Sequence, residues 1–195
     1  MKVLLVSDEE NPFIWDFFQP EKFEDIDLII SCGDLKAEYL SFLVTMIKAP
    51  LFYVPGNHDT GYDVKPPEGC ENIDGKLVIY KGVRILGMGG SHRYSNGTCQ
   101  YTEKEMSKRI RKLRFKLWRS KGFDVFVTHA PAFGVGDRDT ECHRGFKCFN
   151  KLMDKYSPKY LFHGHIHLNY GMRQRIYEYK DTKVINAFQY YIIDI

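Results

Sequence analysis

The chain has 195 residues, 28 Lys or Arg against 25 Asp or Glu, a net charge of +3 and 44% hydrophobic residues. That is the profile of an ordinary globular domain long enough to bury a core. It excludes a low-complexity chain, and it excludes a nucleic-acid partner demanded by charge alone.

Met1-Lys2 is followed by only four apolar residues before Ser7-Asp8, too few for the core of a signal peptide. No apolar run approaches the length of a membrane span. Five cysteines, an odd number without a C-x-x-C, fit reduced thiols better than a disulfide framework. The expectation is one cytoplasmic domain over residues 1–195, with no membrane partner.

Val3 to Val6 reads as a buried strand ending in Ser7-Asp8-Glu9-Glu10. Asn11-Pro12 reads as a helix start, with Phe13, Ile14, Phe17 and Phe18 at helical spacing. Leu28 to Ser31 is a second strand, ending in Cys32-Gly33-Asp34. Tyr39 to Ile47 is a helix with Leu40, Leu43, Val44 and Ile47 inward. Leu51 to Val54 is a third strand, ending in Pro55-Gly56-Asn57-His58-Asp59, and a loop follows from Thr60 to Gly69. Leu77 to Tyr80 and Val83 to Met88 form an antiparallel pair that leads into Gly89-Gly90-Ser91-His92.

Thr102 to Ser120 is the longest expected helix. Thr102-x-x-Glu105 has the form of a capping box, and Met106, Ile110, Leu113 and Leu117 make the inner stripe. Val125 to Thr128 is a strand ending in His129-Ala130-Pro131. A helix spans Phe146 to Tyr156, and a strand at Tyr160 to Phe162 runs into His163-Gly164-His165-Ile166-His167. Strands then follow at Met172 to Tyr179, Lys183 to Ala187 and Tyr190 to Ile195. Alternating strands and helices imply a largely parallel sheet, and the strand-rich tail suggests a second, more antiparallel one. The reading is an α/β sandwich of two facing sheets with helices outside.

Five apolar runs end in side chains able to bind metal: Asp8, Asp34, Asn57 with His58, His129, and His165 with His167. In open α/β sheets ligands collect beyond the carboxyl ends of strands, so five such ends can converge on one site. Each residue alone has a plainer role. Asp34 could cap a helix, Asn57-His58-Asp59 could form a turn, and His129 could be a satisfied core histidine. A scatter of polar residues would not track the strand ends.

With these motifs in hand, the chain resembles the calcineurin-like metallophosphoesterases. Gly33-Asp34, Gly56-Asn57-His58-Asp59, Thr128-His129-Ala130-Pro131 and Gly164-His165-Ile166-His167 match that family's blocks in order. The resemblance implies a four-layer αββα sandwich, two mixed β-sheets flanked by helices. It also implies a binuclear metal-dependent phosphoesterase, in which a hydroxide bridging two divalent ions attacks phosphorus in line. By position, Asp34 would bridge both metals. Asp8 and His167 would hold the first, and Asn57, His129 and His165 the second. His58 would sit near the leaving-group oxygen, oriented by Asp59.

The family's first block is D-x-H, and here it is Asp8-Glu9-Glu10. Glu10 shares parity with Asp8 in an extended segment and is expected to replace the histidine as a ligand. The alternative is that it turns outward. A carboxylate there favours Mn²⁺ over Zn²⁺, with Fe, Zn and Ni as other candidates. By resemblance, His143 and Arg144 of His143-Arg144-Gly145, and His92 after its glycine loop, are candidates to contact substrate. His163 is read as core or as a support for the ligands.

Glu103 to Lys121 holds nine Lys or Arg and two Glu, read first as a solvated helix face. Three functions compete: an esterase for a small phosphomonoester or phosphodiester, a nuclease using the same site plus the basic helix, and a non-catalytic scaffold with a degenerate metal site. Retained His58 favours an enzyme, and Glu10 favours the scaffold. Nucleic acid is a weaker partner than a small phosphoester.

Overall fold

The computed structural model describes residues 1–168 and 174–195. From the amino terminus the chain forms β1 (Lys2–Ser7), α1 (Pro12–Trp15), β2 (Leu28–Ser31), α2 (Ala37–Ile47), β3 (Leu51–Tyr53) and β4 (Cys70–Asn72). A hairpin of β5 (Lys76–Tyr80) and β6 (Val83–Met88) follows, then two short strands, β7 (Ser91–His92) and β8 (Gln100–Tyr101). Next come α3 (Glu103–Lys112), α4 (Arg114–Arg119), β9 (Val125–Thr128), α5 (Lys147–Tyr156) and β10 (Tyr160–His163). The carboxyl-terminal part holds β11 (Ile176–Tyr179), β12 (Thr182–Asn186) and β13 (Gln189–Asp194).

Two large sheets result, ordered β13-β1-β2-β3-β4 and β11-β12-β10-β9-β6-β5. Alternation along each strand builds the layers. In the first sheet Val3, Leu5, Leu28, Ile30 and Phe52 face the second sheet, meeting Ile85, Val125, Val127, Phe162 and Ile185. The residues between them turn outward: Leu4, Val6, Ile29, Leu51 and Tyr53 pack on Ile14 of α1 and on Tyr39, Leu40, Leu43 and Ile47 of α2. On the far side Leu86, Met88, Phe126, Leu161 and Val184 pack on Met106, Leu117, Phe149 and Leu152 of α3, α4 and α5. Three apolar cores between four layers make the αββα sandwich. Among the described residues no helix is long and apolar enough to cross a membrane.

The tail does not form a sheet of its own. β13 pairs antiparallel with β1 in the first sheet, whereas β12 pairs parallel with β10 in the second. The strand expected from Met172 starts at Ile176, and 172–173 lie outside the described residues. The helix at Asn11-Pro12 is a single turn, although Asn11 caps it by accepting from the Phe13 N–H. Gln19, before Pro20, is extended, and Phe17 is left exposed. The long helix breaks at Leu113, whose ψ of −7° unwinds it into α3 and α4, while the Thr102–Glu105 capping box forms. In α2 Tyr39 joins the buried stripe, and Val44 packs against the same core half-buried.

Candidate metal centre

β1, β2 and β3 run parallel, as do β6, β9 and β10. Their carboxyl ends deliver Asp8, Asp34, Asn57-His58-Asp59, His129 and His165. Hydrogen bonds tie these strand ends together, two of them, His129 to Cys32 and His165 to Asp8, from one sheet to the other. His129 Nδ1 lies 2.8 Å from the Cys32 carbonyl, the Gly164 N–H donates to the His129 carbonyl at 3.0 Å, and the His165 N–H donates to the Asp8 carboxylate at 2.9 Å.

Asp8, Asp34 and His165 have φ of +66°, +57° and +67°, a left-handed conformation that non-glycine residues rarely take. Three such residues, each just past a strand end, mark a place where position outweighs backbone ease. Gly56 meets the opposite constraint: a Cβ there would collide with the Asp34 carboxylate.

The tautomers follow from the partners. A carbonyl only accepts, so His129 Nδ1 carries a proton toward Cys32, and His165 Nε2 carries one toward the Cys142 carbonyl at 2.6 Å. That leaves His129 Nε2 facing Asn57 Oδ1 at 3.0 Å, His165 Nδ1 at 3.1 Å and Asp34 Oδ2 at 3.3 Å. Asn57 Nδ2 donates to the Tyr94 hydroxyl at 3.0 Å, which turns Oδ1 inward. Four groups able to offer an electron pair therefore converge on one place. Two imidazoles, a carboxylate and an amide oxygen, with each imidazole braced through its other nitrogen by a backbone carbonyl, fit a divalent metal ion.

A proton competes for the same place. Burial disfavours charge on His129, but the Asp34 and Asp8 carboxylates outweigh it and raise its pKa to about 9. Burial likewise opposes ionisation of Asp34, yet the charge and hydrogen bond of His129 and the His58 N–H bring it down to about 2. Burial and the neighbouring His129 hold His165 neutral, at about 3.

Asp8 and His167 flank the cluster. The Asp8 side chain is buried, and His167 Nε2 stands 3.9 Å from its Oδ1. Both line a cavity of about 370 Å³ with Asp34, Asn57, His58, Tyr94, Cys142, His143 and His165. With Asp34 they put two carboxylates and an imidazole on one cavity wall.

Glu10 is not brought into this set. The alternation argument needs extended backbone, and the chain turns at Asp8 instead. Glu10 Oε1 accepts from the Lys36 N–H at 3.2 Å, near Lys36 Nζ at 3.6 Å, beside a neighbouring cavity that it shares with Asp34 and His58. Asp59 does not orient His58. Its carboxylate accepts the N–H groups of Gly56 at 2.7 Å, Asp34 at 2.9 Å and Leu35 at 3.2 Å, tying two loops together. The His58 side chain is exposed and borders both cavities, while its N–H donates to Asp34 Oδ1 at 2.7 Å.

His143 reaches the metal cavity, its ring 5.2 Å from that of His165, but Arg144 and His92 do not line it. His92 stacks on Phe146 at 4.1 Å and its Nε2 meets the Gly145 carbonyl at 3.2 Å, so it braces the 137–145 loop. His163 is core: Nδ1 donates to the Gly164 carbonyl, and burial holds the ring neutral at about 4. None of the nine cations of Glu103 to Lys121 lines the metal cavity. Sequence reasoning missed Tyr94 and the Cys142 carbonyl. Tyr94 lies one residue past Arg93 in the loop already expected to border the site, and a backbone carbonyl leaves no trace in sequence.

The model of the calcineurin-like phosphoesterase family matches residues 2–169. An uncharacterised protein of Haemophilus influenzae is 27% identical over 222 aligned positions, covering 93% of this chain and 90% of its own. One from Methanocaldococcus jannaschii is 26% identical, covering 75% and 72%. Among solved structures, one overlays with a TM-score of 0.71 at 16% identity, covering 99% of this chain and 94% of its own. The 5'-nucleotidase of Candida albicans overlays at 0.56 with 12% identity, covering 95% of this chain and 44% of its own. At these identities the overlays speak for the fold.

Proposed function

Since the chain belongs to the calcineurin-like phosphoesterase family, we propose that it hydrolyses a small phosphate ester at the Asp34–His129–His165 cluster with two divalent ions bound. The observation that carries this reading is the convergence of four electron-pair donors on one point. Asn57, His129 and His165 would hold one ion, Asp8 and His167 the other, and Asp34 both. Bound ions would polarise the phosphoryl oxygens and acidify a water for in-line attack. Two carboxylates with one imidazole suit Mn²⁺ in the first place.

The chain's own residues supply the rest. His58, which borders both cavities, would protonate the leaving alcohol. Among the described residues no Lys or Arg lines the metal cavity, while Lys36 and Lys65 line the neighbouring cavity that shares Asp34 and His58. That charge balance favours a phosphodiester, with one negative charge, over a monoester dianion. The nuclease reading loses its basic helix, since none of the Glu103 to Lys121 cations lines the cavity. Five unbridged cysteines support a cytoplasmic setting, and one domain accounts for the whole chain.

The test is turnover of bis-p-nitrophenyl phosphate and p-nitrophenyl phosphate side by side, with Mn²⁺ added. The diester is expected to turn over faster, activity to vanish on chelation, and His58→Ala to keep the metals while losing roughly 10²–10⁴ in rate. Absence of turnover on both esters with two ions bound would sink the proposal.

A further inference from the structure

Tyr94 stands at the mouth of the metal cavity on the loop between β7 and β8. The loop is stapled from below. Gln100 is buried, its Oε1 accepts the N–H groups of Tyr94 at 3.1 Å and Ser95 at 3.0 Å, and its Nε2 donates to Ser95 Oγ at 2.9 Å. The position of Tyr94 is therefore set by its backbone, even though its side chain is 43% exposed.

A phenol has one proton to donate and lone pairs to accept with. At Tyr94 a lone pair is taken by Asn57 Nδ2 at 3.0 Å. The proton must point elsewhere, and among the described residues no protein acceptor receives it. The cavity it borders is where the phosphoryl group would sit, and among the described residues no Lys or Arg lines it to meet phosphoryl oxygens.

We infer that Tyr94 is a substrate-contact residue: its hydroxyl donates a hydrogen bond to a phosphoryl oxygen of the bound ester while accepting one from Asn57. The inference rests on the phosphoesterase reading above. An oxygen that gains negative charge in the transition state strengthens such a bond, so its loss falls on kcat as well as on KM. The two roles are coupled. The Asn57 amide that turns its oxygen toward the metal place also holds the phenol ready with its proton free.

Tyr94→Phe removes one oxygen and keeps the ring. Three quantities are measured on wild type and variant after identical Mn²⁺ loading: metal content, affinity for orthovanadate by calorimetry, and kcat and KM on bis-p-nitrophenyl phosphate. The expectation is unchanged metal content, with vanadate affinity and kcat/KM each lower by roughly tenfold to a hundredfold, the range for a hydrogen bond to a charged group. Unchanged affinity and kcat/KM in an active protein overturn the inference and leave the phosphoesterase reading standing. Loss of metal from Tyr94→Phe also overturns it, because the phenol would then serve only to hold Asn57. If the loaded wild type is inactive, the phosphoesterase reading fails by itself, and vanadate affinity still decides Tyr94: equal affinity, or none in either protein, overturns the contact.

Discussion

Glu10 lies three residues beyond its strand and His129 directly after its own, yet only His129 reaches the metal place. The difference is backbone. β1 ends at Ser7, and the left-handed turn at Asp8 ends the alternation that would have aimed residues 8 and 10 alike. Glu10 instead accepts the N–H of Lys36, the residue that precedes α2. We predict that Glu10→Ala keeps full metal content and loses only the small contribution of a partly exposed charged contact, about 0.5–1 kcal/mol. Metal analysis after identical loading, with a urea melt, checks both halves, and a halved metal content would return Glu10 to the ligand set. Asp34, His129 and His165 were legible because each sits in a motif block that follows a central parallel strand, whereas Glu10 stands where the first block departs from the family's pattern. Asp59 and Arg144 were not, since loop geometry decides where they point, and His92 in β7 was not, since its stacking partner Phe146 lies far off in sequence.

Among elements, the loops after β2 and β3 are held by one side chain. Asp59 receives three backbone N–H groups, and burial raises its pKa to about 6 even though the N–H groups of Gly56 and Asp34 pull the other way. Asp59→Ala would leave three donors without their acceptor, and at about 1–3 kcal/mol for each buried unsatisfied group the loss should be at least about 3 kcal/mol. Denaturant midpoints compare the variant with wild type, and a change under about 1 kcal/mol would show that water replaces the carboxylate. The elements most faithfully read from sequence are the central strands, β2 and β9 above all, because continuous apolar runs with β-branched residues mark burial on both faces. The break at Leu113 and the division of the tail between two sheets were illegible. The first is a local unwinding inside an unbroken helical pattern, and the second is a choice of pairing partner that no strand carries in itself.

For the whole molecule, the metal place is also a seam. Asp8, Asp34 and Asn57 come from the first sheet, His129, His165 and His167 from the second, so a bound ion draws the two halves of the sandwich together. Ligand binding to the folded state alone stabilises it, by about 2.7 kcal/mol at a hundred times Kd. The size of that effect must depend on pH, because a proton holds the place when metal does not. The His129 pKa is raised from 6.5 to about 9, so the metal-free protein gains stability from this proton in full below about 6.5 and loses it as pH rises through about 9. Metal must expel that proton, so its affinity runs the other way, rising about tenfold per pH unit until about 9. We therefore expect the Mn²⁺-induced rise in melting temperature to grow steadily from pH 6.5 to 8.5, while the metal-free protein becomes less stable through this group over the same interval. Thermal melts at three pH values, with and without saturating chelator, measure both trends together. A metal-induced increment that is flat across this range would mean that His129 is already neutral before metal binds, and that the carboxylates of Asp34 and Asp8 do not hold the proton there.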